Sequence, residues 1–366
     1  MLRIFQLESI NFIPMEVQYY NVLGVMSGTS LDGVDLAWIQ LEKNNGWKFK
    51  IHQATTIQYS AEWKQRLKEA VHYSSLELKQ LDEDYTELLA NIISNFHIDH
   101  QIKDLHAVCS HGHTILHQPE NGITLQIGNL PKLAIMIGQQ VICDFRVQDV
   151  QLGGQGAPLV PIGDRLLFAE YDYCLNLGGF ANISYEEKED RVAFDICPVN
   201  VVMNHFAEEL CKPYDSEGKI AASGRVDQAL LLGLNSLGFY TKDPPKSLGL
   251  EWVQEHIFPM LEDSGLQASN VLRTFVEHVA IQIAAVIPED TTVLVTGGGA
   301  YNNFLIERIK SHANARVVIP SKEIIEYKEA LVFGLLGVLK LRTEINCLKS
   351  VTGAIKDHCS GKIFKP

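Results

Sequence analysis

The sequence predicts a two-lobed α/β protein, on three observations. Its 366 residues exceed what one hydrophobic core commonly serves, so two cores are expected. Each half runs strand, glycine-rich turn, strand, strand and helix, the order that a duplicated fold leaves behind. A third glycine turn, late in the chain, joins a strand to a helix.

In the first half, 22–26 and 34–41 are apolar runs of strand length. Between them lies Ser27-Gly28-Thr29-Ser30-Leu31-Asp32-Gly33. Gly28 and Gly33 permit positive φ and let backbone N–H groups approach an anion, while Thr29 and Ser30 add hydroxyl donors. Asp32 or Asp35 is placed to hold a divalent cation that accompanies phosphates. No Lys follows the glycines and no helix follows the turn, so this is not the Walker pattern. The segment reads as a phosphate hairpin, against the plain alternative of an Asp-Gly turn.

A third strand spans 47–59, and helical periodicity covers 61–72 and 76–96. A short strand, 107–109, ends at Ser110-His111-Gly112-His113-Thr114. Alternation puts His111 and His113 on one strand face, with His117 beyond a turn. No nearby Cys or carboxylate completes a tetrahedral set with them, so a polar wall facing a substrate is expected rather than a metal. Strands at 124–127 and 141–143 follow, with a helix between them.

The second half follows the link Gly153-Gly154-Gln155-Gly156-Ala157-Pro158. It reads as a strand at 173–177, the turn Gly178-Gly179-Phe180-Ala181-Asn182, strands at 183–186 and 191–195, and a helix at 199–211. Later, a strand at 292–296 meets Gly297-Gly298-Gly299-Ala300 and a helix at 302–311. A strand, glycines and a helix N-terminus together seat a phosphate or a ribose.

Composition narrows the function. With 46% hydrophobic and 20% charged residues, the chain is an ordinary globular protein. A formal net charge of −13 argues against a nucleic-acid or anionic-membrane surface but leaves room for an anionic small substrate. No apolar run reaches the roughly 18 residues of a membrane span. The first 21 residues do not make a signal peptide, and Met15 is an alternative start. Seven cysteines with no Cys-x-x-Cys pair fit reduced thiols in the cytoplasm.

The three turns, in this order, resemble the actin and hexokinase superfamily. The stretch from Gly24 to Asp35 narrows the match, together with Gln126-Ile127-Gly128-Asn129, Asp144-Phe145-Arg146 and Gly153 to Pro161. Asn176 to Asn182, Pro244-Pro245-Lys246-Ser247 and Gly297 to Asn302 extend it. Over about 22–341 the chain is similar to the anhydro-N-acetylmuramic acid kinase family. That resemblance implies two actin-like (ribonuclease H-like) lobes with an interlobe ATP and substrate cleft. The first lobe would be 15–145 with 335–366 and the second 146–334, after a short extension at 1–14.

The implied reaction uses ATP to phosphorylate O6 of 1,6-anhydro-N-acetylmuramic acid while water opens the ring, giving N-acetylmuramic acid 6-phosphate and ADP. O6 is tied to C1 and has no proton to surrender. Water must therefore reach C1, and a carboxylate must take its proton. By its place in Phe194-Asp195, Asp195 resembles the family's base, against the plain reading of a carboxylate at a helix N-terminus. ATP binding is expected at Ser27, Gly28, Thr29, Ser30, Asp32, Gly33, Gly178, Gly179, Asn182, Gly297, Gly298, Gly299 and Asn302, with Mg²⁺ at Asp32. The sugar is expected at Ser110, His111, His113, Thr114, Arg146, Asn200 and Glu329. Arg146 and Asp149 are weaker candidates to bind the lactyl carboxylate and order the hinge, Lys246 is one to contact ATP or substrate, and a cytoplasmic homodimer is implied.

The chain departs from the family pattern at four places. Cys197 and Val199 stand where glycines are usual, which would alter backbone approach to the substrate. His113 replaces Gln, and Leu250 replaces Arg and removes a bidentate anion contact. Two other readings keep the clamp: a kinase for a different anhydro or amino sugar, or an actin-like ATPase switch.

Overall fold

The computed structural model describes residues 18–28 and 30–366; the expected extension at 1–14, Met15 and Thr29 lie outside them. The chain opens with β1 (Gln18–Ser27), β2 (Gly33–Lys43) and β3 (Trp47–Gln58), followed by α1 (Ala61–Glu69) and α2 (Ser75–Asp99). Ser74 caps α2 in a reciprocal box with Glu77, which fixes where the helix begins. Then come β4 (Ala107–Gln118), β5 (Ile123–Ile127), α3 (Lys132–Ile137), β6 (Val141–Cys143), α4 (Val147–Gln151) and α5 (Pro161–Leu167).

The second half holds β7 (Tyr173–Leu177), β8 (Phe180–Glu187) and β9 (Asp190–Pro198). After them come α6 (Asn200–Glu208), α7 (Lys219–Ser223), α8 (Gln228–Asn235), α9 (Leu250–His256), α10 (Phe258–Glu262) and α11 (Ala268–Ala284). The chain closes with β10 (Thr292–Thr296), α12 (Asn303–His312), β11 (Arg316–Val318), α13 (Lys322–Leu341), α14 (Lys349–Thr352) and β12 (Lys362–Phe364).

The two sheets share one topology. The first runs β12-β6-β4-β1-β2-β3, with β5 paired to β4, and the second runs β11-β10-β7-β8-β9. In each, three antiparallel strands come first, a fourth strand lies parallel to the first, and a fifth lies parallel to the fourth. That repeated order is the ribonuclease H-like arrangement of an actin-like fold. β5 and β12 are the first sheet's additions.

Two sequence expectations change. The strand expected at 107–109 runs on to Gln118, so His117 lies on the same strand. Gly112 has φ +75°, a conformation open to glycine, and a Cβ there would stand 2.5 Å from the Ile127 carbonyl oxygen. This kink reverses the alternation. His111 packs on Phe333 of α13, while His113 packs on Tyr85 of α2, at the opposite face of the sheet. The turn expected at 178–182 is also tighter: Gly178 and Gly179 alone make it, because Phe180 and Asn182 already pair in β8.

Helix α13 joins the two halves. Its Ala330, Phe333 and Leu336 pack in one apolar core with Ala37 and Cys109 of the first sheet and Cys174 and Leu294 of the second. The helix lies close because its neighbours are small. A Cβ on Gly24 of β1 would come within 2.0 Å of the Ala330 carbonyl oxygen, and one on Gly337 within 2.2 Å of Cys109 Sγ. Gly24→Ala is therefore expected to cost about 1–3 kcal/mol, because backbone rather than a side-chain tip must move. Gly46→Ala, where a methyl meets nothing within 4 Å, stays within about 0.5 kcal/mol, and denaturant titration of both variants checks the contrast.

Candidate active site

A cavity of about 1330 Å³ opens between the two sheets. It is larger than a single small ligand commonly fills, and so has room for two. Its walls bring together the β1–β2 turn, the β7–β8 turn, the turn after β10, the loop at 155–158, the loop at 245–248 and the start of α13. Among the described residues expected to bind ligands, Gly28, Ser30, Asp32, Gly33, Gly178, Gly179, Asn182, Asp195, Asn200, Gly297, Gly298 and Glu329 line it.

The glycines divide into two kinds. A Cβ on Gly28 would meet nothing nearer than 3.7 Å, one on Gly179 nothing nearer than 4.0 Å, and one on Gly298 nothing within 4 Å. No packing demand explains these three, and each leaves backbone open to the cavity. Gly33, Gly297 and Gly299 are filled from behind, with a Cβ coming within 2.3 to 2.7 Å of Ile57, Asn176 or Leu177. Packing explains these three as glycines, although Gly33 and Gly297 still line the cavity.

Other expected residues lie behind the walls. Ser27 is buried, and its hydroxyl bonds Tyr59 Oη at 2.6 Å and His113 Nδ1 at 2.8 Å. Asn302 caps α12 by accepting from Leu305 N, so its side chain serves the helix. Ser110 Oγ accepts from Gly112 N, and Thr114 Oγ1 accepts from Gln126. Burial holds His113 down at about 4, so its ring is neutral at pH 7. Arg146 donates to His111 Nε2 at 2.8 Å and to the Gly156 carbonyl at 2.7 Å. Burial, and then the Arg146 charge, push the His111 imidazole well below its usual range. These residues brace the cleft from behind, and the polar wall expected of the histidines falls instead to His117.

The four departures from the family pattern also lie away from the cavity. Cys197 and Val199 are fully buried in the second core, His113 braces the first turn, and Leu250 is a half-exposed residue at the start of α9. Asn200 donates to the Leu177 and Gly178 carbonyls and so fixes the β7–β8 turn.

Asp195 lies inside β9, opposite Asn182, and Val199 is the residue that precedes α6, which excludes the helix-cap reading. Its Oδ2 accepts the Leu248 N–H at 2.8 Å, and its own N–H donates to the Lys246 carbonyl at 3.0 Å. Oδ1 has no partner among the described residues. Burial raises the Asp195 carboxyl above the ordinary range, with the Leu248 bond opposing it. A half-buried carboxyl with one free oxygen in a cavity is suited to take a proton.

Asp32, Asp35, Glu326 and Glu329 also line the cavity. Burial, then Glu329, Asp32 and Glu326, raise Asp35 to about 6, although the Thr56 hydroxyl bonds it at 2.6 Å. Glu329 is open to solvent yet walled in by the cleft, and burial raises it too, against the pull of Arg146. Sequence reasoning named Asp35 only as a second choice and missed the buried set beneath it. There Lys328 Nζ lies 2.6 Å from Asp164 Oδ1, and Arg191 and Ser184 close the group. A charged residue inside the apolar runs around Asp164 and Lys328 was the available signal.

Because its folded-state pKa of about 6 exceeds the unfolded 3.8, Asp35 favours folding when protonated and loses that contribution as pH rises through 6. Asp35→Asn is expected to raise the melting temperature above the native value at about pH 8 without divalent cation, and the gap should vanish near pH 4. Differential scanning calorimetry across that range checks it.

The family model for anhydro-N-acetylmuramic acid kinase matches residues 20–366. A relative of that name from Sulfurimonas denitrificans is 31% identical, covering 94% of this chain and 99% of its own. Another, from Shewanella sp. strain ANA-3, is 35% identical over 81% of this chain and 84% of its own. A ROK family glucokinase from Streptomyces griseus, solved with glucose and AMPPNP, is 12% identical at a TM-score of 0.40, covering 87% of this chain and 99% of its own. The fold assignment rests on the repeated strand order and not on that loose likeness.

Proposed function

The chain belongs to the anhydro-N-acetylmuramic acid kinase family, and from that premise we propose how its cleft carries the reaction. The protein is an ATP-dependent kinase that opens 1,6-anhydro-N-acetylmuramic acid with water and phosphorylates O6, in peptidoglycan recycling. The observation that carries the assignment of roles is Asp195, with one oxygen held by Leu248 and the other free in a cavity with room for two ligands.

Asp195 Oδ1 takes a proton from water as that water bonds to C1. The C1–O6 bond breaks, and O6 bonds the γ-phosphorus as ADP leaves. Gly28, Gly179 and Gly298 leave backbone open for the phosphates and the nucleoside, and Ser30 adds a hydroxyl. The residues fit a cation: a wall of Asp32, Asp35, Glu326 and Glu329 repels a nucleotide polyanion unless positive charge lies between them. Asp32 and Asp35 would hold Mg²⁺, which when bound neutralises phosphate charge. Thr29 belongs to the same proposed set.

The departures at Cys197, Val199, His113 and Leu250 do not line the cavity, which supports the family's own sugar over a different one. We keep the lobe boundaries 15–145 with 335–366 and 146–334, which place one crossing within α13. Free cysteines throughout support a reducing cytoplasm, and the family reading carries a homodimer. No helix among the described residues is long and apolar enough to cross a membrane.

ADP release with Mg-ATP and the anhydro sugar tests the reading directly. Asp195→Asn is expected to lower kcat about 10²–10⁴-fold while ATP binding persists. The acidic limb of the native kcat/KM profile should lie above that of an ordinary aspartate, because burial raises Asp195. A folded native chain that binds ATP yet releases no sugar-dependent ADP would overturn the substrate.

A further inference from the structure

Outside the cleft, Asp149 on α4 meets Cys347 and His358 of the C-terminal segment. Cys347 and His358 face each other as an antiparallel bridge, so backbone bonds hold their side chains in register. The three ligand atoms lie within 4.8 Å of one another, and the residues are 0%, 1% and 6% exposed. Asp149 Oδ1 lies 3.0 Å from Cys347 Sγ and 3.5 Å from His358 Nε2.

The hydrogen-bond polarity calls for a positive charge here. His358 Nδ1 lies 3.1 Å from the Lys356 carbonyl, which only accepts, so Nδ1 carries the ring proton. Nε2 then presents a lone pair, has no hydrogen-bond partner, and faces the carboxylate oxygen of Asp149. Two acceptors confronting each other in the interior repel unless a proton or a metal ion lies between them. An imidazole whose other nitrogen donates to a carbonyl is the usual form of a metal-ligating histidine. The carboxylate is oriented as well, because its Oδ2 accepts the Gly156 N–H at 2.7 Å.

We propose that Asp149, Cys347 and His358 bind a structural zinc ion that fastens the C-terminal segment to the cleft wall. One sulfur, one imidazole nitrogen and one carboxylate oxygen are borderline donors that suit tetrahedral Zn²⁺. The Thr352 hydroxyl donates to Asp149 Oδ1 at 2.7 Å and helps to orient the carboxylate. On binding, the Cys347 S–H bond breaks, its proton goes to solvent and a Zn–S bond forms. Because binding releases this proton, zinc affinity should climb with pH. The bound ion would steady the loop that Asp149 holds at Gly154 and Gly156, whose Gln155 and Ala157 line the cleft.

The full chain, loaded with Zn²⁺ at about pH 8 in excess Mg²⁺ and then gel-filtered, should keep one zinc per chain by elemental analysis. Loading with Co²⁺ should produce a near-ultraviolet thiolate-to-metal charge-transfer band, and chelation should lower the melting temperature. Cys347→Ala and His358→Gln should each lose stoichiometric metal and the band. If Cys347→Ala does not fold, His358→Gln and the native metal content still decide. A folded native chain that retains no metal and shows no band would overturn the proposal, leaving a protonated His358 paired with Asp149. Undiminished binding in a folded variant would overturn it too.

Discussion

Helix α13 lies so close to β1 that the Ala330 carbonyl occupies the space a side chain on residue 24 would need. Much of the cleft follows from that approach. The start of the helix is carried to the junction of the two sheets, where Ile325, Glu326, Lys328 and Glu329 line the cavity. Lys328 meets Asp164 of α5 there, with side chains almost fully buried, and Arg191 of β9 stands 3.8 Å from the same carboxylate. Buried charges of this kind are tolerated because each finds an opposite partner.

The cleft draws its groups from both lobes. The first lobe brings Gly28, Asp32 and Asp35 to the cavity, and the second brings Gly179 and Gly298. The second also brings Asp195, raised by burial and free on one oxygen. Burial is the main cause at both carboxylates: at Asp35 the like charges of Glu329, Asp32 and Glu326 add to it, whereas at Asp195 the Leu248 N–H opposes it.

Much of this was legible in the residues. Glycine turns flanked by apolar runs located both hairpins and the β10 turn, because backbone that must come close to an anion leaves a compositional mark. The strand at 173–177 and the strand at 292–296 match their observed limits, since each is a short apolar run bounded by turn residues. The histidine wall was misread because a single positive φ at Gly112 reverses which face each side chain meets, and sequence alternation carries no sign of it. Ser27, Asn302 and Arg146 sit in the same motifs as residues of the cavity wall, yet their side chains bond neighbours within the fold, a difference that motif membership does not reveal. The Asp164–Lys328–Arg191 group was missed because its members come from three distant elements.

The core beneath α13 belongs to both sheets at once. Phe333 and Leu336 pack with residues of the first sheet and with Cys174 and Leu294 of the second, while each half also keeps a core of its own. A substitution that loosens the shared core is therefore felt by both lobes, whereas one in a separate core acts first on the lobe that holds it. Phe333 reports on both halves, and Tyr85 or Phe275 on a single one.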